Sequence, residues 1–208
     1  MTTAGVRPYR ILAVEGIDGS GKSTLVSRIT NKSSLNSRSE RLSPCMGGIY
    51  RDLVDVPSQS KTRYQDVIPG DLRYGSFIID AIAQFHYRSQ EYAQYDWLVF
   101  DRWMPTYDVY CEGKSVYDEW YQRVARCLPE PDLLVRLRAT PRVAAERVTA
   151  RGDWTADNWS AERLLADLTR LDERYDRALK DVPHHVVDAD RDADAVYGDV
   201  LDLIRGVR

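Results

Sequence analysis

The chain has 208 residues, of which 43% are hydrophobic and 29% charged, and its net charge is −3. These are the proportions of a soluble globular protein, read here as one domain over 1–208 with enough chain to bury a core. The acidic balance argues against constitutive nucleic-acid binding, and no apolar stretch approaches the ~20 residues that cross a bilayer.

Met1 to Arg10 lacks the apolar core of a secretion signal. Cys45, Cys111 and Cys127 are scattered, with neither ligand nor redox spacing, which points to a reducing compartment and a cytoplasmic location.

The first predicted strand is the apolar run Ile11-Leu12-Ala13-Val14, and Leu25, Val26 and Ile29 follow at helical spacing. Between them stands Glu15-Gly16-Ile17-Asp18-Gly19-Ser20-Gly21-Lys22-Ser23-Thr24. Within it, Gly16-x4-Gly21-Lys22-Ser23 is a complete phosphate-binding loop. Glycines let successive N–H groups turn toward phosphate oxygens, and the helix start adds its partial positive charge. Lys22 is expected to reach the β- and γ-phosphates of ATP and Ser23 to place its hydroxyl on Mg²⁺. Asp18 is out of place in a cradle for anions, so it is read as facing the second substrate or a metal-bound water. Glu15 is read as sharing that work or bracing the loop.

A second strand is expected around Arg41 to Ser43, followed by an irregular stretch from Ser43 to Gly70 containing Pro44, Pro57 and Pro69. Leu72 to Tyr92 reads as a buried central helix, apolar around much of its circumference. Trp97-Leu98-Val99-Phe100 is a buried strand ending at Asp101, the arrangement that anchors Mg²⁺ beside a phosphate loop. Arg102 is read as touching the transferred phosphate, with a structural ion pair as the alternative. Leu133-Leu134-Val135 and Val186-Val187 are the remaining strands, giving a parallel sheet covered on both faces.

Thr140 and Pro141 open a helix running to Ala150, and Ser160 caps another with Leu164, Leu168, Leu171 and Tyr175 inside. Val196, Val200 and Leu203 mark a terminal helix. Arg147 and Arg151 share a helix face ahead of Gly152, so 147–160 is read as a lid that brings two arginines over the transferring phosphate. Asp188, Asp190, Asp192 and Asp194 imitate a calcium loop but lack its glycine, and His184-His185 has no third ligand at metal spacing.

Together these residues resemble the thymidylate kinase family. The anchors are Glu15-Gly16-Ile17-Asp18, Asp101-Arg102-Trp103, Pro131-Asp132-Leu133-Leu134 with Thr140-Pro141, and Val187-Asp188-Ala189. The resemblance implies a three-layer α/β fold with a five-stranded parallel sheet in the order 2-3-1-4-5, and a homodimer. It implies adenine near Ala189 and a small-molecule acceptor, a pyrimidine deoxynucleotide or a modified analogue. Phe77 aligns with the phenylalanine that stacks on the acceptor base, three residues before Asp80, and Tyr110 keeps its family position. The family's base-reading arginine after Asp80 is replaced by Ala81. The arginine of its Arg-Glu-Pro stretch has no counterpart in Ser43-Pro44-Cys45, and Cys111 replaces a polar residue. Arg51, Arg63 or Arg73 could restore the lost charge. A kinase for another small acceptor and a nucleotide switch are the alternatives.

Overall fold

The computed structural model describes residues 7–58, 63–111 and 119–207. Its strands are β1 (Arg10–Glu15), β2 (Ser37–Glu40), β3 (Trp97–Asp101), β4 (Leu133–Arg138) and β5 (His185–Asp188). They form one sheet in the order β2-β3-β1-β4-β5, each pair parallel, which is the expected α/β topology. Helices cover both faces, and Ile11, Leu12, Val14, Leu98, Val99 and Phe100 have no exposed surface between them. Such strands carry continuous apolar runs because neither face meets water. No helix among the described residues is long and apolar enough to cross a membrane.

Strand register positions the site. Val14 of β1 stands opposite Asp101 of β3 and Val135 of β4, so these strands end together at one edge of the sheet. Ligands of open parallel sheets bind at that edge, beside the order reversal between β1 and its neighbours.

The helices are α1 (Lys22–Lys32), α2 (Met46–Ser58), α3 (Tyr64–Val67), α4 (Gly70–Tyr87), α5 (Ser89–Tyr92) and α6 (Met104–Tyr110). They continue with α7 (Glu119–Ala125), α8 (Pro141–Arg151), α9 (Trp154–Asn158), α10 (Ala161–Ala178) and α11 (Ala193–Gly206). Thr140 caps α8 by accepting from the Val143 N–H, and Ser160 caps α10 by accepting from the Arg163 N–H. Leu164, Leu168, Leu171 and Tyr175 are the buried stripe of α10. In α11 the buried residues are Val196, Val200 and Ile204, one position beyond the expected Leu203.

Three expectations need correction. The second strand lies at Ser37–Glu40, not around Arg41 to Ser43. It is an edge strand held by charge: Arg38 and Arg88 each pair with both Glu40 and Glu91, at 2.5–2.8 Å. A polar edge of this kind resists pairing with other chains and leaves no apolar signal. The stretch from Ser43 onward is not wholly irregular but contains α2. Its start is capped from a distance, because Asp80 Oδ2 accepts from the N–H groups of both Cys45 and Met46 at 2.8 Å. The predicted central helix divides at Arg88, where α4 ends and the short α5 begins.

The aspartates that imitate a calcium loop serve the backbone instead. Asp190 accepts from Thr140, Asp188 from Asp190, and Asp192 caps α11 by accepting from Asp194.

Candidate active site

The phosphate loop bends back from β1 through residues whose backbone excludes side chains. Gly16 has φ 141° and Gly19 φ 82°; a Cβ would lie 2.4 Å from the Leu137 carbonyl at the first and 2.3 Å from the Ala144 carbonyl at the second. Gly21, also at positive φ, leads into α1. The N-terminal N–H groups of α1 thereby face the loop as an anion site.

Lys22 is buried, its Nζ donating to the Ile17 carbonyl at 2.7 Å and to Ser20 Oγ at 3.4 Å. Burial, and then the neighbouring Arg102, bring its pKa down to about 8. A bound phosphate would supply the counter-charge that only Asp18, Asp101 and Glu15 partly provide. The Ser23 hydroxyl donates to Asp101 Oδ2 at 2.5 Å. A hydroxyl and one carboxylate, both hard oxygen donors, fit Mg²⁺, which keeps several waters and takes its remaining ligands from phosphate. Among the described residues no group of three His, Cys, Asp or Glu forms an all-protein metal cage.

Glu15 has no exposed surface. Its Oε1 accepts from the N–H groups of Trp103 and Thr106, and its Oε2 from the Thr106 and Tyr175 hydroxyls. Of its two expected roles, this geometry is that of a brace fixing the start of α6, and it turns no oxygen toward a ligand. Burial raises its pKa against those hydrogen bonds.

Arg102 follows with φ 84°, a conformation that non-glycine residues rarely adopt. That turn aims its guanidinium back across the loop. There it pairs with Asp18 Oδ1 at 2.5 Å, donates to the Gly16 carbonyl and the Tyr175 hydroxyl, and lies 4.8 Å over the Tyr110 ring. The Tyr110 hydroxyl donates to Asp18 Oδ2. Desolvation opposes ionisation of Asp18, but Arg102 and Lys22 outweigh it and hold the carboxyl below its ordinary pKa.

A cavity of about 380 Å³ opens on Lys22, Ser23, Asp101 and Arg102, with Arg41 and Arg151 on its walls. Arg41 was missed by sequence. The arginine sought after the second strand does not directly precede the x-Pro pair; it stands three residues before Pro44, just beyond β2. Its side chain is exposed with no ion pair among the described residues, and its carbonyl is held by Gln84 Nε2 at 2.9 Å. The available signal was an arginine directly following the last strand residue.

The two arginines expected together on a lid part company. Arg151 lines the cavity while paired with Asp153. Arg147, expected beside it over the transferred phosphate, donates to the Ala189 carbonyl at 2.9 Å and the Gly19 carbonyl at 3.4 Å. It lines a second cavity with Thr24, Ala189 and Arg191, on the far side of the loop. Residues four apart share a helix face but are a full turn apart along it, enough to reach two cavities.

On the acceptor side, Phe77 is not a free stacking surface. Tyr107 stacks on it with centroids 5.2 Å apart and planes at 23°, and Tyr50 meets it edge-on at 6.0 Å. Asp80 is engaged in capping α2, Ala81 is fully buried, and Arg51 is exposed on α2. Arg63 and Arg73 line a third cavity of about 620 Å³ that begins at Asp18 and Tyr110.

A five-stranded parallel sheet in this order, with a phosphate loop after its central strand, is the fold shared by P-loop kinases. A family model described as thymidylate kinase matches residues 14–200. The chain belongs to the thymidylate kinase family. Relatives include a probable thymidylate kinase 1 of Saccharolobus solfataricus, 25% identical over 94% of this chain and 97% of that protein. A probable thymidylate kinase of Pyrobaculum aerophilum is 27% identical over 94% and 96%. The chain is similar in fold to a solved deoxyadenosine kinase of M. mycoides, with TM-score 0.61 and 19% identity over 95% of this chain and all of that one.

Proposed function

We propose that the protein transfers the γ-phosphoryl group of ATP, with Mg²⁺, to the phosphate of a nucleoside monophosphate, a pyrimidine deoxynucleotide or modified analogue. The observation that carries this reading is the convergence of Lys22, the Ser23–Asp101 pair, Arg102, Arg41 and Arg151 on one cavity. Phosphoryl transfer needs positioned charge more than covalent chemistry, and these side chains bring that charge to one cavity.

Loop N–H groups and Lys22 would hold the donor phosphates, and Ala189 and Arg147 would border the donor base. Ser23 and Asp101 would hold magnesium, which when bound neutralises charge on the donor phosphates. Arg41 and Arg102 would hold the acceptor phosphate in line, with Asp18 fixing Arg102. Arg151 would leave Asp153 and turn its charge onto the transferring group as 147–160 closes as a lid. An acceptor phosphate is already ionised, so the scheme requires no general base.

Exposed apolar residues support a homodimer: Ile49 and Leu53 on α2, with Leu72 and Ile79 on α4, are 47–60% exposed. Sedimentation of wild type beside Leu72→Glu/Ile79→Glu tests it.

The decisive experiment for the reaction is ADP release from ATP and Mg²⁺ across deoxynucleotides, nucleosides and sugar-like acceptors. Turnover stimulated by a nucleoside monophosphate supports the reading. Stimulation only by an acceptor without phosphate would replace it with the second reading, a kinase for a different small molecule, which the covered face of Phe77 favours. Slow hydrolysis indifferent to every acceptor would favour a nucleotide switch.

A further inference from the structure

Two observations on the acceptor side bear on what this kinase selects, the first at Tyr107 on the edge of the phosphate-transfer cavity and the second in the chamber beyond Asp18. The first is a closed slot. Tyr107 covers the Phe77 ring, and Tyr107 is itself locked: its hydroxyl donates to Ser43 Oγ at 2.6 Å, and Ser43 Oγ donates to the Phe77 carbonyl. Phe77 and Tyr107 are each 8% exposed, and Ser43 holds φ 56° with its N–H bonded to Gln84. A base could stack on Phe77 only by displacing a ring anchored through a buried hydroxyl pair. The slot is filled by the protein's own aromatic residue.

The second is a charged chamber beside it. The 620 Å³ cavity running from Asp18 and Tyr110 toward α3 and α10 is walled by Arg63, Arg73, Arg163, Arg170 and Arg174. Arg63 is paired with Asp66 and Arg170 with Asp167. Arg73 differs. It is 94% buried, its Nε donates only to the Ile68 carbonyl at 3.1 Å, and among the described residues no carboxylate pairs with it. Arg163, on the rim, likewise has no ion pair among the described residues, its guanidinium lying 4.3 Å over the Trp159 ring. None of Arg73's nitrogens is a sealed, unpartnered atom, so its terminal N–H groups stay open to the cavity it lines, where an anion would give them a charge-assisted partner. A chamber wall is where a ligand can bring one.

We propose that the acceptor carries a second anionic group, remote from the phosphate that accepts transfer, and that Arg73 with Arg163 binds this group in the arginine-walled cavity in place of base stacking on Phe77. This rests on the nucleotide-kinase reading above and names the acceptor class within it. Its phosphate lies at Arg41 and Arg102, its body passes Asp18 and Tyr110, and its far end meets Arg73. A neutral base leaves Arg73 unpaired; a carboxylate forms a charge-assisted contact with it.

The test uses two acceptor pairs differing by one carboxylate: dCMP against 5-carboxy-dCMP, and UMP against orotidine monophosphate. Affinity is measured by calorimetry and turnover by ADP release, with the whole protein, ATP and Mg²⁺. The expected result is that the carboxylated member binds at least tenfold more tightly in one pair or both, and that Arg73→Gln and Arg163→Gln each erase most of that preference. Arg163 is exposed on α10, so its variant keeps the test intact should Arg73→Gln fail to fold. Equal or weaker binding of the carboxylated member in both pairs overturns the proposal, as does a preference unchanged in Arg163→Gln and in folded Arg73→Gln. Binding with the expected preference but no ADP release from any acceptor supports the anion site and counts against the kinase reading alone.

Discussion

The residues proposed to hold the donor phosphates and magnesium come from one ten-residue loop and the end of one strand, whereas the proposed acceptor side is assembled from the residue after β2, the start of α3, and α4, α6 and α10. In the donor half, spacing along the chain nearly equals spacing in the fold, because a glycine turn and the first turn of α1 leave few ways to arrange Lys22 and Ser23. In the acceptor half, each side chain's position depends on partners far along the chain. Asp80 caps α2 across 34 residues, and Tyr107 bonds Ser43 across 64. A family can therefore keep its donor chemistry while its acceptor pocket is rebuilt by one or two substitutions.

The sharpest way to break this contrast is Lys22→Ala. It should lower turnover at least ~1000-fold without loss of fold, since the lysine supplies a point charge on phosphate. Circular dichroism and single-turnover assays check it, and near-normal rates in a folded variant would remove the donor assignment. Next comes Arg151→Ala, expected to cost about 100-fold in kcat with little change in ATP affinity, because a lid arginine acts on charge that develops in the transition state. A loss of only a few-fold would return Arg151 to its ion pair with Asp153.

Asp101→Asn should raise the Mg²⁺ concentration needed for half-maximal activity by about tenfold, an amide being a poorer ligand for a hard cation. A metal titration matching wild type would take Asp101 out of the metal site.

Tyr107→Ala probes the other half. It should destabilise the protein by about 3 kcal/mol through the cavity it leaves, and raise kcat/KM for dTMP severalfold by uncovering Phe77. Unchanged or lower dTMP activity in the folded variant would mean that the covered face is not what excludes thymine.

The smallest expected effect is a proton. Lys22 has its pKa brought down to about 8, below its unfolded value, so its charge opposes folding. That opposition is complete below pH 8 and fades as pH rises toward 10.5, so the unliganded protein should gain stability relative to Lys22→Met across that window. Phosphate restores the charged form, so ATP binding at pH 8.5 to 9 should take up a proton that binding at pH 6.5 does not. Calorimetry in buffers of different ionisation heat reads it, and equal buffer dependence in Lys22→Met would assign the proton elsewhere.

What the sequence made legible follows the same division. Buried strands announced themselves as apolar runs, and Thr140 and Ser160 as caps, because these signals are local. β2 did not, since Ser37–Glu40 is an edge stabilised by ion pairs to α4's end and α5. α2 did not, since its cap lies on α4. The separation of Arg147 from Arg151 needed the cavities themselves. Arg41 was overlooked for a smaller reason: a one-residue offset from the expected arginine position hides a residue that the end of β2 nonetheless delivers to the site.

Arg63 lies 4.8 Å from the Trp154 ring and 4.6 Å from the Trp159 ring, a cation clasped between two indoles at either end of α9. Indole emission responds to charge at such distances. The junction between α9 and the segment before α3 therefore carries a built-in optical reporter: movement of either away from the other removes a positive charge from two fluorophores at once. Trp97 and Trp103, buried in the core at 4% exposure, supply a steadier background. A shift in tryptophan fluorescence on adding ATP or acceptor, abolished in Arg63→Gln, would time that movement without any label.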